Sequence, residues 1–310
     1  MLSRRSVRIK VMQLLYAQSR DEELTRNQIL KAYDDGIEQS FELLMFTLYI
    51  FICVAKCATD DEEKRKSKYL PSEEDQKFTA RLYENALLQS LVSHQEIKKA
   101  FEKYKFAGKA DRDFCLKQYT EFSKTPEYRD YIKAEPSERK DLEIMLELFR
   151  FLRKAEYFNE VVEDHYSNWP DDQSLVIGAM KKVLKAMPVT GPFIEEHYPD
   201  AETAEEYGKA LLEKVVDNDD FIRKLVEPTL NNWDPERVAV IDMILLMMAV
   251  SEFLFFPTIP TKVTLNEYVE ISKLYSTPKS KDFINGILDR LMKTLKAEGK
   301  IQKEGRGLLD

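Results

Sequence analysis

The 310-residue chain is 44% hydrophobic and 33% charged, with a formal net charge of −8 at pH 7. That is enough apolar material for one large helical domain or two smaller ones, and the acidic balance excludes indiscriminate binding of polyanions over the whole surface. Only 9 residues are glycine, well under the usual ~7%, β-branched alternation is scarce and apolar residues return at spacings of three and four, so the expected fold is all-α.

The first predicted helix covers residues 4–19. Val7, Val11 and Leu14 form its apolar stripe, Arg5 and Arg8 fall on a flank and Lys10 lies on the other side, so the cations are expected to face solvent. No acidic residue stands among the first ten, which hold Arg4, Arg5, Arg8 and Lys10. Residues 262–310 hold ten Lys and Arg against seven Asp and Glu, so both ends of an acidic chain are basic and a local cationic face is expected where they meet. The basic start lacks an apolar region and cleavage site after it, so no secretory leader is expected.

A second helix is expected over 37–57. Its apolar run 41–58 carries Glu42 and Lys56, and the later run 238–257 carries Asp242 and Glu252, so both read as core helices rather than membrane spans. Residues 59–75 read as a charged, solvated connector. Helices follow at 76–105, 110–123, 137–154 with Ser137 as N-cap, and 155–167. Pro188, Gly191, Pro192 and Pro199 break the segment 187–203. Beyond it come a helix carrying Tyr207, Leu211, Leu212, Val215 and Val216, then helices near 219–231, 235–256, 264–275 and 278–297. Residues 152–184 align on 216–248 at an offset of 64, with Asn168-Trp169 on Asn232-Trp233. Duplication and a shared packing need both account for this helix, Asn-Trp turn, helix pattern.

No phosphate-binding glycine loop, nucleophile elbow or metal-binding histidine pair is present, so no catalytic residue, metal or cofactor is expected. The odd set Cys53, Cys57 and Cys115 has no CxxC pair and suits a reducing compartment, the cytoplasm being the expected location. Glu252 lies on the apolar stripe of its helix, with Asp242 at the edge. A carboxylate there needs donors, so Glu252 is expected to accept from backbone N–H groups of the following turn or from a cation on a neighbouring helix. Thr264 and Glu267 have capping-box spacing, and Thr277-Pro278 suits the start of the last helix. Gly286 inside that helix points to close approach of another backbone or of a ligand.

Two separated parts of the chain resemble the NusB transcription antitermination family. One is "RRSVRIKVMQLLYA" at the start. The other is "WDPERVAVIDMILLMMAVSEF" followed by "IPTKVTLNEYVEISKLYSTPKSKDFINGILD", with Asp242, Glu252, Pro260, Asn266-Glu267, Ser280, Phe283, Asn285-Gly286 and Leu288-Asp289 in the family's order. The resemblance implies a NusB-like helical bundle with an additional inserted helical region, divided as 1–57, 58–203 and 204–310. It also implies a non-enzymatic adaptor that binds boxA-type single-stranded RNA of ribosomal transcripts with the ribosomal protein NusE, and through them meets the RNA polymerase elongation complex. In that reading Arg4, Arg5, Arg8 and Lys10 contact phosphates, Phe283 and Asn285 contact bases, and Asp242, Lys279 and Ser280 lie on the NusE side. Lys279 stands where relatives can carry an acidic residue. The alternatives are a helical scaffold that binds only proteins, and a stand-alone relative of the RNA-binding domain of ribosomal RNA cytosine methyltransferases.

Overall fold

A computed structural model describes residues 2–21, 23–230 and 238–309, and every regular element among them is helical. The chain divides into two compact units, one made of Leu2–Ile37 with Pro199–Asp310, the other of Glu38–Tyr198. The second break falls in the proline-rich segment. The first falls inside helix α2 (Arg26–Lys66), not at its expected end near residue 57. The helix runs on because residues read as a connector pair along it: Arg65 Nε donates to Asp61 at 2.9 Å and Lys66 pairs with Glu62, both at i,i+4.

In the unit Glu38–Tyr198, the apolar length of α2 is core. Leu43, Leu44, Phe46, Leu48, Phe51 and Val54 are all buried, so the run that is long and apolar enough for a membrane is mostly covered by protein. The expected helix 76–105 is four short ones, α3 (Glu73–Lys77), α4 (Arg81–Glu84), α5 (Ala86–Ser93) and α6 (Gln95–Lys103). Asn85 breaks the run by capping α5, its Oδ1 accepting from Leu88 N at 2.9 Å. Next are α7 (Arg112–Phe122), α8 (Pro126–Lys133) capped by Thr125, and α9 (Glu138–Leu152), whose N-cap is Ser137 as expected. Helices α10 (Glu156–His165) and α11 (Trp169–Lys185) flank the Asn168-Trp169 turn, where Trp169 Nε1 donates to Asn159 at 3.2 Å. The matching Asn232-Trp233 lies outside the described residues. A five-residue helix, α12 (Phe193–His197), closes this unit.

In the other unit, α1 (Arg4–Arg20) is followed after the proline-rich break by a wide π-type helix over Glu202–Lys209. Then come α13 (Ala210–Asp217), α14 (Asp219–Val226), α15 (Val240–Phe255), α16 (Thr261–Tyr275) and α17 (Ser280–Ala297). Helix α15 is the axis. Residues 244–253 are all buried, and α1, α13, α14, α16 and α17 pack around them, which is why its sequence is apolar on every side. The π-type helix lies against α1 at Gly208, where a Cβ would stand 2.1 Å from both Val7 Cγ1 and the Tyr33 hydroxyl. No room exists there for a side chain.

Candidate nucleic-acid interface

Helix α1 opens with Ser3 as N-cap, its Oγ accepting from Ser6 N at 3.1 Å, and its first turn holds no acidic residue. Arg4 and Arg5 therefore stand at the positive end of the helix dipole, where a cation costs a few tenths to about 1 kcal/mol. Helix stability does not explain them.

Arg8 corrects the expectation of a solvent-facing row. It is only 2% exposed, with Nε donating to Glu252 Oε1 at 2.7 Å and Nη2 to Oε2 at 3.0 Å. Glu252 also accepts from Thr264 Oγ1 at 2.7 Å, from the Tyr268 hydroxyl at 3.2 Å and from the Tyr207 hydroxyl. Burial works against the Arg8 charge, but Glu252 outweighs it and holds the guanidinium protonated far above its ordinary range. Burial and then the Glu252 charge push the Tyr207 and Tyr268 hydroxyls well up, so both stay neutral donors. Glu252 is thus the acceptor for a neighbouring helix's cation that its position on the stripe implied. Lys10 is likewise buried rather than presented. The geometric reason is width: α1 lies between α15, α16 and the π-type helix, so its flanks as well as its apolar stripe are covered.

Arg5 makes a bidentate pair with Glu267, Nε–Oε2 and Nη2–Oε1 both 2.8 Å, with 44% of the arginine side chain still exposed. That hydrogen bond draws the Glu267 carboxyl below its ordinary range. Thr264 and Glu267 do not form the expected capping box, because α16 starts at Thr261 behind Pro260 and both side chains point to tertiary partners instead. Arg4 reaches Glu202 at 3.0 Å and lies over the Tyr207 ring at 5.2 Å.

The far end of the chain returns to this place. Lys303 Nζ donates to Glu252 O in the last turn of α15 at 3.2 Å and to the carbonyl of Phe256, just past that helix, at 2.8 Å, and Glu304 N donates to Pro257 O at 3.0 Å. At Gly307 a Cβ would stand 1.9 Å from Pro257 O, so only glycine permits the tail to lie so close. The result is an open groove of about 580 Å³ lined by Arg4, Arg5, Pro260, Val263, Arg306 and Leu309. Arg306 and Leu309 are exposed and Val263 is 44% exposed, so the guanidinium groups of Arg4, Arg5 and Arg306 edge an apolar floor, with buried Arg8 and the Glu267 carboxylate also in the lining. Arg306 was not singled out in the sequence beyond its membership of the basic end 262–310.

The other expected residues lie elsewhere. On α17, Phe283 is half-buried and Asn285 exposed, and neither lines the groove. A Cβ at Gly286 would have nothing within 4 Å among the described residues, so the expected approach of a second backbone is absent there and the position is open. Asp242 and Ser280 are brought together but buried: Asp242 accepts from Ser276 Oγ at 2.6 Å and Ser280 Oγ at 2.7 Å. This pair fixes the turn between α16 and α17. It also delays α17 to Ser280, beyond the expected Thr277-Pro278 start, and leaves Lys279 exposed beside it. Among the described residues no three His, Cys, Asp or Glu side chains converge as a metal site would require.

The NusB family model matches residues 182–293. The transcription antitermination protein NusB of Desulfatibacillum aliphaticivorans is 36% identical over 109 residues, which are 35% of this chain and 76% of that protein. The chain belongs to the NusB family. Proteins of the same name from Chloroherpeton thalassium and Salinibacter ruber are 40% identical over 100 residues and 43% identical over 86, covering 32% and 28% of this chain. The chain spans about half the length of these two relatives, 47% and 54% respectively. No solved structure matches it. The family match runs from the end of α11 through α12, the π-type helix and α13 to α16 into α17, while this chain, longer than its NusB relatives, also carries the earlier helices of Glu38–Tyr198, consistent with an insertion.

Proposed function

We propose that the chain is a non-enzymatic transcription antitermination factor, located in the cytoplasm, whose Arg4, Arg5 and Arg306 hold the phosphates of a boxA-type single-stranded RNA. The observation that carries this reading is the NusB match, whose named relatives are antitermination proteins. The groove supports it physically. Exposed ion pairs such as Arg4–Glu202 contribute ~0–1 kcal/mol, so a phosphate exchanges with the carboxylate at little cost and releases counterions from the RNA. Base contacts fall to Phe283 and Asn285 beside the open Gly286, and the NusE ribosomal protein to the α16–α17 turn, with Lys279 in contact and Asp242 and Ser280 holding the turn in place. Arg8 and Lys10 serve this site from beneath, by seating α1.

Filter binding of boxA-type RNA over a series of salt concentrations tests the proposal. Each of Arg4→Ala, Arg5→Ala and Arg306→Ala should weaken binding and reduce the slope of log K against log salt by roughly 0.7 to 1. An unchanged slope in all three refutes the groove. The second reading, a scaffold that binds only proteins, is favoured by the internal pairing of Arg5 and Arg8. Capture of the NusE protein without any RNA affinity would establish it.

A further inference from the structure

All three cysteines of the chain line one open cavity of about 910 Å³ in the unit Glu38–Tyr198. Tyr49, Cys53, Lys56 and Cys57 share one face of α2, and Cys115 faces them from the first turns of α7. The three thiols are free and not equivalent. Cys57 is buried, its Sγ donates to the Cys53 carbonyl at 3.4 Å, and burial pushes it up to about 11. Cys53 is half-buried and shares the cavity wall with Tyr49 and Cys115. Hydrogen bonding to Cys115 and then Tyr49 draws Cys53 below the ordinary thiol range against the effect of its burial, while pairing with Cys53 and burial push Cys115 up. Two thiols on facing helices thus line one open cavity, the more exposed one drawn toward its ionised form, the arrangement that thiol–disulfide exchange needs.

We propose that Cys53 and Cys115 form a reactive dithiol that exchanges with low-molecular-weight disulfides entering this cavity, Cys53 attacking and Cys115 resolving. The Cys53 thiolate attacks one sulfur of the small disulfide, forming a mixed disulfide and expelling the first small thiolate, which takes up a proton. The Cys115 sulfur then attacks Cys53, gives its proton to the second small thiolate and displaces it. The protein loses two electrons and two protons, and the small disulfide gains them as two thiols. The product ties α2 to α7. Nothing in this proposal depends on the RNA groove.

The intact protein is incubated with oxidised glutathione and its peptides are mapped by mass spectrometry. A Cys53–Cys115 crosslink is expected in the unaltered chain and in Cys57→Ser, and Cys115→Ser should accumulate the glutathione adduct on Cys53. Brief alkylation of the native, unaltered protein with iodoacetamide should label Cys53 at least about tenfold faster than Cys57. This measurement stands even where a variant fails to fold. Equal labelling of Cys53 and Cys57, or absence of the crosslink under conditions that fully oxidise dithiothreitol, overturns the proposal.

Discussion

Glu252 shows what one residue's position reveals and what it conceals. A carboxylate on an otherwise apolar stripe must be satisfied, so its role as an acceptor was legible from α15 alone. Its partner was not, because Arg8 lies 244 positions away and a helical wheel cannot say which flank of α1 will be covered. The same blindness made Arg8 look like a surface cation. Once both are placed, truncating either side is costly: without Glu252 the buried Arg8 keeps only its longer contact to Glu267 at 3.4 Å, and without Arg8 the buried Glu252 keeps only neutral hydroxyl donors. Glu252→Ala is expected to destabilise its unit by roughly 3–5 kcal/mol, whereas Arg4→Ala at the surface should cost well under 1 kcal/mol. Chemical denaturation of the two variants compares them directly. Equal, small losses would show that the buried pair is not the fastening point of α1.

At the scale of elements, long periodic helices with a clear cap, such as α9 behind Ser137, were legible to within a residue or two. Those that sequence reading missed share a physical cause: local side-chain bonds overrode the hydrophobic pattern. Asn85 ended one helix to start another within a continuous periodic run, and the i,i+4 pairs of residues 61–66 carried α2 through a stretch whose charge suggested a loop. The tail after α17 was illegible for another reason, since nothing in its composition marks it as packed. It is held by backbone contacts at Pro257 that require Gly307. Gly307→Ala is expected to lift the tail, raise hydrogen exchange at the Glu304 amide and weaken RNA binding about as much as Arg306→Ala does. Retention of slow exchange at Glu304 would show that the tail tolerates the added methyl group.

Over the whole molecule, net charge and composition indicated the class of fold and the basic ends but not where the polypeptide divides. The division follows from two separate cores, one on the apolar length of α2 and one on α15. Calorimetry is therefore expected to resolve two unfolding transitions. Met145→Ala, which empties space in the core of Glu38–Tyr198, should lower one midpoint and leave the other and RNA binding unchanged. A single transition that shifts as a whole would contradict this.

The long separation between Arg8 and its carboxylate has a bearing on synthesis. Helix α1 leaves the ribosome before the rest of its unit, and the carboxylates that pair with Arg4, Arg5 and Arg8 follow 198, 262 and 244 residues later. In the interval the intervening segment Glu38–Tyr198 has emerged complete and is free to fold as a nascent domain, while α1 waits with its arginines hydrated. The groove edged by Arg4, Arg5 and Arg306 is thus among the last features to form, and a nascent chain stalled before Glu252 lacks the carboxylate that seats α1.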